Sequence, residues 1–128
     1  MSRVLALDYG SARCGAAVSD PTGLLATPLE SIPDPSSERG LGEIARLVGE
    51  RGVEQVVVGL PVSLSGAENA QAAEARRFAV RLEAHLEVPV TTYDERYTTA
   101  LARRTPGRLP EDSRAAAHLL ESYLSARR

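Results

Sequence analysis

Lysine is absent from this 128-residue chain, and all 15 basic residues are arginine. There is one cysteine, Cys14, which excludes an internal disulfide and a cysteine-rich zinc site. Two scattered histidines, His85 and His118, make a histidine-based zinc cluster a poor reading as well. No apolar run approaches the roughly 18–20 residues of a membrane span. The opening "MSRVLALDYG" meets an acid, Asp8, before a signal-peptide core is complete. A cytoplasmic location without membrane contact is the default expectation.

What is present suits one globular domain over residues 1–128 with one hydrophobic core. Hydrophobic residues make up 43% of the chain, too many for a disordered one. Net charge is −2, so bulk charge does not announce a nucleic-acid binder. Its distribution is uneven: from position 96 onward seven arginines face Glu111, Asp112 and Glu121, while eight arginines face the other acids before it. Arginine can fork onto phosphate, but the lack of any lysine in an alanine-rich chain reads first as genome composition.

The apolar segments "RVLALDYG" and "CGAAVS", joined by "GSAR", predict a β-hairpin. "LLATPLESI" predicts a third strand, with Pro28 suited to an edge. Ser36 or Ser37 is a candidate cap for a helix from Glu38 to Arg51, which Gly52 would stop. "EQVVVGLP" predicts a buried parallel strand, "AQAAEARRFAVRLEAHL" a helix, "VPVTTY" a last strand and "SRAAAHLLESYLSA" a last helix. A short helix from Thr98 or Thr99 to Arg104 would lie between them. Three leading strands followed by β-α alternation imply an α/β fold on a mixed sheet. Its leading strands would be antiparallel and its later ones parallel, with helices on both faces.

The glycines fail both nucleotide motifs. "GSARCGAA" has the glycine spacing of a Walker loop, but Ala16 and Ala17 stand at its lysine and hydroxyl positions. A dinucleotide fingerprint would lead into a helix, and here the glycines lead into a strand. Gly10 and Gly15 are read as residues that turn the hairpin. The carboxylates are more informative. Asp8 ends a run of four apolar residues, Asp94 and Glu95 follow the last strand, and Asp112 stands at the start of the last helix. With the first strand central and the last parallel to it, these acids reach one sheet edge. Carboxylates gathered there would repel one another, and a hard cation, Mg²⁺ or Mn²⁺, relieves that. The plainer readings are a helix cap for Asp112, solvated loop acids for Asp94 and Glu95, and a pairing of Asp8 with Arg13 or Arg96.

Four segments carry a resemblance. "ALDYGSARCGAAVSD", "VVVGLPVSLSGAENAQAAEARRFAVRL", "VPVTTYDERYTT" and "EDSRAAAHLLESYL" resemble, in order and at compatible spacing, the motifs of the YqgF (RuvX) family. The likeness runs from about Arg3 to Leu124. It implies an RNase H-like fold with a five-stranded mixed sheet, and a metal-dependent nuclease, for which hydrolysis with two ions is the expected mechanism. It also implies Asp8, Glu95 and Asp112 as catalytic metal ligands, with Asp94 as the first alternative. Arg13, Arg96, Arg103, Arg104 and Arg108 would hold phosphates, with Ser63 and Ser65 as further nucleic-acid contacts. The family's proposed roles are maturation of the 5′ end of pre-16S rRNA and resolution of Holliday junctions, the second requiring a homodimer. A non-catalytic nucleic-acid-binding module is a third reading. Actin-like and sugar kinases share the D-x-G opening, but need two such domains. The chain departs from the family at Ser63–Gly66, where the usual loop reads N-M-D-G, and in a shortened segment before Asp112, where Glu111 replaces an apolar neighbour.

Overall fold

The computed structural model describes residues 3–61, 69–94 and 111–126, with the backbone alone at Glu111 and Asp112. The chain order is β1 (Arg3–Asp8), β2 (Arg13–Ser19), β3 (Ala26–Pro33), α1 (Glu38–Glu50), β4 (Val53–Leu60), α2 (Ala70–His85), β5 (Val90–Asp94) and α3 (Glu111–Ala126). The strands form one sheet in the order β3-β2-β1-β4-β5. β1–β2 and β2–β3 are antiparallel, and β1–β4 and β4–β5 are parallel. This is the expected five-stranded mixed sheet. The expected helix between Thr98 and Arg104 lies outside the described residues.

The two faces of the sheet bury different side chains. Leu5, Leu7, Val56 and Val58 pack with Leu41, Ile44 and Val48 of α1 and Ala75, Phe78 and Leu82 of α2. Val4, Ala6, Ala17 and Val57 pack with Ala116, Leu119, Leu120 and Tyr123 of α3. β1 and β4 are therefore covered on both sides. That explains why their sequences are continuous apolar runs rather than alternating ones.

The helices begin on side chains that satisfy their first amide groups. Ser37 caps α1, its Oγ accepting from the Gly40 amide at 3.0 Å. Asn69 caps α2, its Oδ1 accepting from the Ala72 amide at 2.8 Å. Asn69 Nδ2 also donates to the Pro61 carbonyl at 3.1 Å, tying the start of α2 to the exit of β4. Gly40 marks a close approach: a Cβ there would lie 2.3 Å from the Asp34 carbonyl oxygen and 2.7 Å from Pro35 Cα.

β3 is an edge strand, which is where Pro28 can be accommodated. It starts at Ala26 rather than at Leu24. The carboxylate of Asp20 accepts from the amides of Leu24 and Leu25 at 2.9 and 3.0 Å, and from the Thr22 hydroxyl. It thereby builds a closed turn where the apolar pattern suggested strand. Leu24 and Leu25 are left 63% and 66% exposed. Gly15 also departs from expectation: it lies within β2, paired with Asp8, and only Gly10 belongs to the turn. The β1–β2 ladder includes Gly15, while the β2–β3 pairing shifts register between Cys14 and Ala16, both buried in the sheet.

Two outcomes follow from these contacts. Gly42, exposed on the same helix as Gly40, has nothing within 4 Å of a Cβ. Gly42→Ala is expected to raise stability by up to about 1 kcal/mol through helix propensity. Gly40→Ala is expected to lower it, and urea unfolding of both variants reads the opposite signs. The second concerns acid. The Thr22 hydroxyl, then the Leu25 amide, draw the Asp20 carboxyl down from 3.8 to about 2. Its stabilisation is present at neutral pH and is lost as pH falls from about 4 toward about 2. The melting temperatures of Asp20→Asn and wild type should therefore converge on acidification, and parallel curves would refute this linkage.

Candidate active site

β1 delivers Asp8 to the sheet edge at which β4 and β5 also end. Val4 and Ala6 face α3, and side chains alternate along a strand, so Asp8 lies on the α3 face. Its partner across β2 is Gly15, which shares that face and presents no side chain. The carboxylate is half-buried, at the point where the dry strand meets the edge.

α3 begins close to the same edge. Ser113, fully buried, donates its hydroxyl to the carbonyl of Leu29 in β3. Leu29 pairs with Ala16, and Ala16 with Leu7, so Ser113 is anchored near the level of Leu7. Asp112 is the residue before it and the second of α3. Arg13, exposed at the start of β2, shares the alternation of Gly15 and Ala17 and hence the Asp8 face.

Asp94 ends β5 at the same edge, in register with Leu60 of β4. Its face is the other one. Val90 packs with the α1–α2 side and Tyr93 with the α3 side, so Asp94 shares the alternation of Val90. β1 and β5 are separated by β4, about 10 Å from backbone to backbone at ordinary strand spacing. Glu95, Arg96, Arg103, Arg104, Arg108, Ser63 and Ser65 lie outside the described residues, as does the side chain of Asp112. Among the described residues, no three metal-ligating side chains gather.

The turn leaving Asp8 is closely constrained. Tyr9 stacks on Phe78 of α2 with ring centroids 4.6 Å apart and planes at 27°. Its hydroxyl shares a 3.0 Å hydrogen bond with Ser36 Oγ. A Cβ on Gly10 would lie 2.6 Å from the Arg13 carbonyl oxygen. Tyr93, half-buried, packs against the α3-side core. It packs edge-on against Tyr123 at 5.5 Å and bonds Ser122 at 3.0 Å. Sequence reasoning missed Ser113 and Tyr9. Both sit beside residues it did single out, but only the fold shows what they touch.

A family model described as RuvX: Holliday junction resolvase matches residues 2–126. The chain belongs to the RuvX family. A protein of Chloroflexus aggregans (strain MD-66 / DSM 9485), named "Putative pre-16S rRNA nuclease", is 43% identical over 134 aligned positions, covering 98% of this chain and 94% of the relative. One of Desulforudis audaxviator (strain MP104C) with the same name is 38% identical, covering 98% and 96%. The RuvC of T. thermophilus, solved in complex with a Holliday junction substrate, aligns with a TM-score of 0.62 at 18% identity over 99% of this chain and 96% of its own. That likeness shows a shared, RNase H-like fold in this RuvX chain.

Gly10→Ala must push against backbone rather than a movable side chain. It is expected to cost about 1–3 kcal/mol, read as a lowered urea midpoint, and an unchanged midpoint would mean that the turn relaxes freely.

Proposed function

We propose that this RuvX-family chain is a divalent-metal-dependent endonuclease that matures the 5′ end of pre-16S rRNA. The observation that carries the reading is Asp8. A carboxylate stands at the carboxyl end of the central strand, on the face where α3 begins, opposite a residue with no side chain. The donor set suits a hard cation: the proposed ligands Asp8, Glu95 and Asp112 offer only carboxylate oxygens, the preference of Mg²⁺ and Mn²⁺. The names of the relatives favour an RNA substrate.

Asp8, Glu95 and Asp112 would hold the ions, with Asp94 ranked below them because it belongs to the other face of the sheet. Bound ions supply Lewis-acid stabilisation of the phosphodiester and a water activated for attack. The protein's own part is to fix carboxylates of opposite charge to the metal at one edge, and to bring the nucleic-acid backbone to them. Arg13, which shares the alternation of the Asp8 face, would receive a phosphate, and Arg96, Arg103, Arg104 and Arg108 would extend that role, with Ser63 and Ser65 as neutral contacts. Such contacts position a backbone and read no sequence. Among the described residues no helix is long and apolar enough to cross a membrane; the proposed site of action, where rRNA is processed, is the cytoplasm.

The second reading, a Holliday junction resolvase working as a homodimer, is favoured by the family description and by the fold shared with RuvC. One panel separates the readings: pre-16S rRNA fragment, four-way DNA junction and linear controls, each with Mg²⁺, Mn²⁺ or chelator. The wild type should cut the rRNA fragment with either ion and lose activity in chelator. Asp8→Asn should lose at least about a hundredfold in rate while binding substrate and folding normally. Junction cleavage with sedimentation as a dimer would replace the rRNA assignment. Wild-type rates in Asp8→Asn, or cutting in chelator, would end the metal-nuclease reading altogether.

A further inference from the structure

Tyr9 follows Asp8 directly, and the chain's alternation sends the two side chains to opposite faces. Asp8 goes to the α3 side. Tyr9 packs against the cluster under α1 and α2. Its ring stacks on Phe78, which is itself 1% exposed in the middle of α2. Its hydroxyl bonds Ser36, which lies between the end of β3 at Pro33 and the α1 cap Ser37. One phenol thus fastens the exit of β1 to α2 and to the entry of α1. Gly10, the next residue, is pressed against the Arg13 carbonyl. The peptide joining Asp8 to Tyr9 therefore cannot rotate without breaking the aromatic stack, the hydroxyl bond or the turn.

A phenylalanine would serve the packing alone. The hydroxyl adds direction: a stacked ring can slide over its neighbour, but a ring that is also hydrogen-bonded at its tip is fixed along its length. Side chains that hold a metal ligand from behind are a recognised part of a metal site's affinity, because a ligand must be kept within a fraction of an ångström of its working position.

We propose that Tyr9, through its hydroxyl bond to Ser36, is a positioning residue that sets the carboxylate of Asp8 for metal binding. The proposal rests on the reading of Asp8 as a metal ligand. It touches neither substrate nor ion, and acts only through the backbone it restrains.

The test is Mn²⁺ titration of the full chain, followed by the paramagnetic signal of the free ion, on wild type, Asp8→Asn, Tyr9→Phe, Ser36→Ala and the Tyr9→Phe/Ser36→Ala double variant. Asp8→Asn should abolish the tight site. Tyr9→Phe and Ser36→Ala should each weaken Mn²⁺ about tenfold. The double variant should be no worse than either single one, since both remove the same bond. In cleavage, kcat should fall in both single variants with KM for nucleic acid unchanged. A lowered melting temperature with wild-type Mn²⁺ affinity would make Tyr9 merely structural and overturn the positioning role while leaving the Asp8 reading intact. Additive losses in the double variant would also overturn it. Absence of Mn²⁺ binding in the wild type, or wild-type binding in Asp8→Asn, would overturn the Asp8 reading and the role of Tyr9 with it.

Discussion

The fold depends on β1 being hydrogen-bonded along both edges and covered on both faces. Antiparallel β2 takes one edge and parallel β4 the other, while α1 and α2 cover one face and α3 the other. Every side chain from Val4 to Leu7 is then withdrawn from water. A charge within that stretch would carry a desolvation cost of several kcal/mol, so the strand can bear one only where its cover ends. Asp8 stands at that limit. Its position is a consequence of how dry the rest of the strand must be, and it sets a carboxylate at the exit of the central strand.

The two faces divide the residues at the sheet edge as they divide the core. Asp8, Gly15 and the alternation of Arg13 belong with α3, whose first turn is fastened near that level by Ser113 bonding to Leu29. Asp94 belongs with α1 and α2. Two acids at one sheet edge are therefore not equivalent, because strand alternation sends them to opposite faces of the sheet. What lies behind Asp8 is equally specific. The Tyr9 stack and the tight Gly10 turn restrain the backbone on the face opposite α3.

Much of this was legible in the residues. The apolar runs of β1 and β4, the three-to-four-residue spacing of apolar positions in the helices and the edge placement of Pro28 each follow from local preference and period. The capped start of α1 was legible too, although choosing Ser37 over Ser36 was not. Both serines precede the helix, and the fold uses Ser37 for the Gly40 amide and Ser36 for Tyr9. Leu24 and Leu25 were misleading for a different reason. Their side chains read as strand, yet their amides are claimed by the Asp20 carboxylate. A local hydrogen bond from side chain to backbone outweighed apolar patterning at the end of a sheet, where little area was available to bury. Gly15 was misread because a glycine beside a turn looks like part of it; pairing with Asp8 placed it in the ladder instead.

By itself the sequence determined that the chain forms a mixed α/β sheet, that no internal disulfide can stabilise it, and that a carboxylate ends its driest strand. These are matters of composition and of period along the chain. Only the tertiary structure decided which strands flank β1 and which acids share a face. It also decided that Gly15 lies across from Asp8 and that Tyr9 reaches Phe78 and Ser36. The reason is physical: alternation along a strand says that neighbours point opposite ways, but which way is inward toward α3 is settled only when the strands pair and the helices pack.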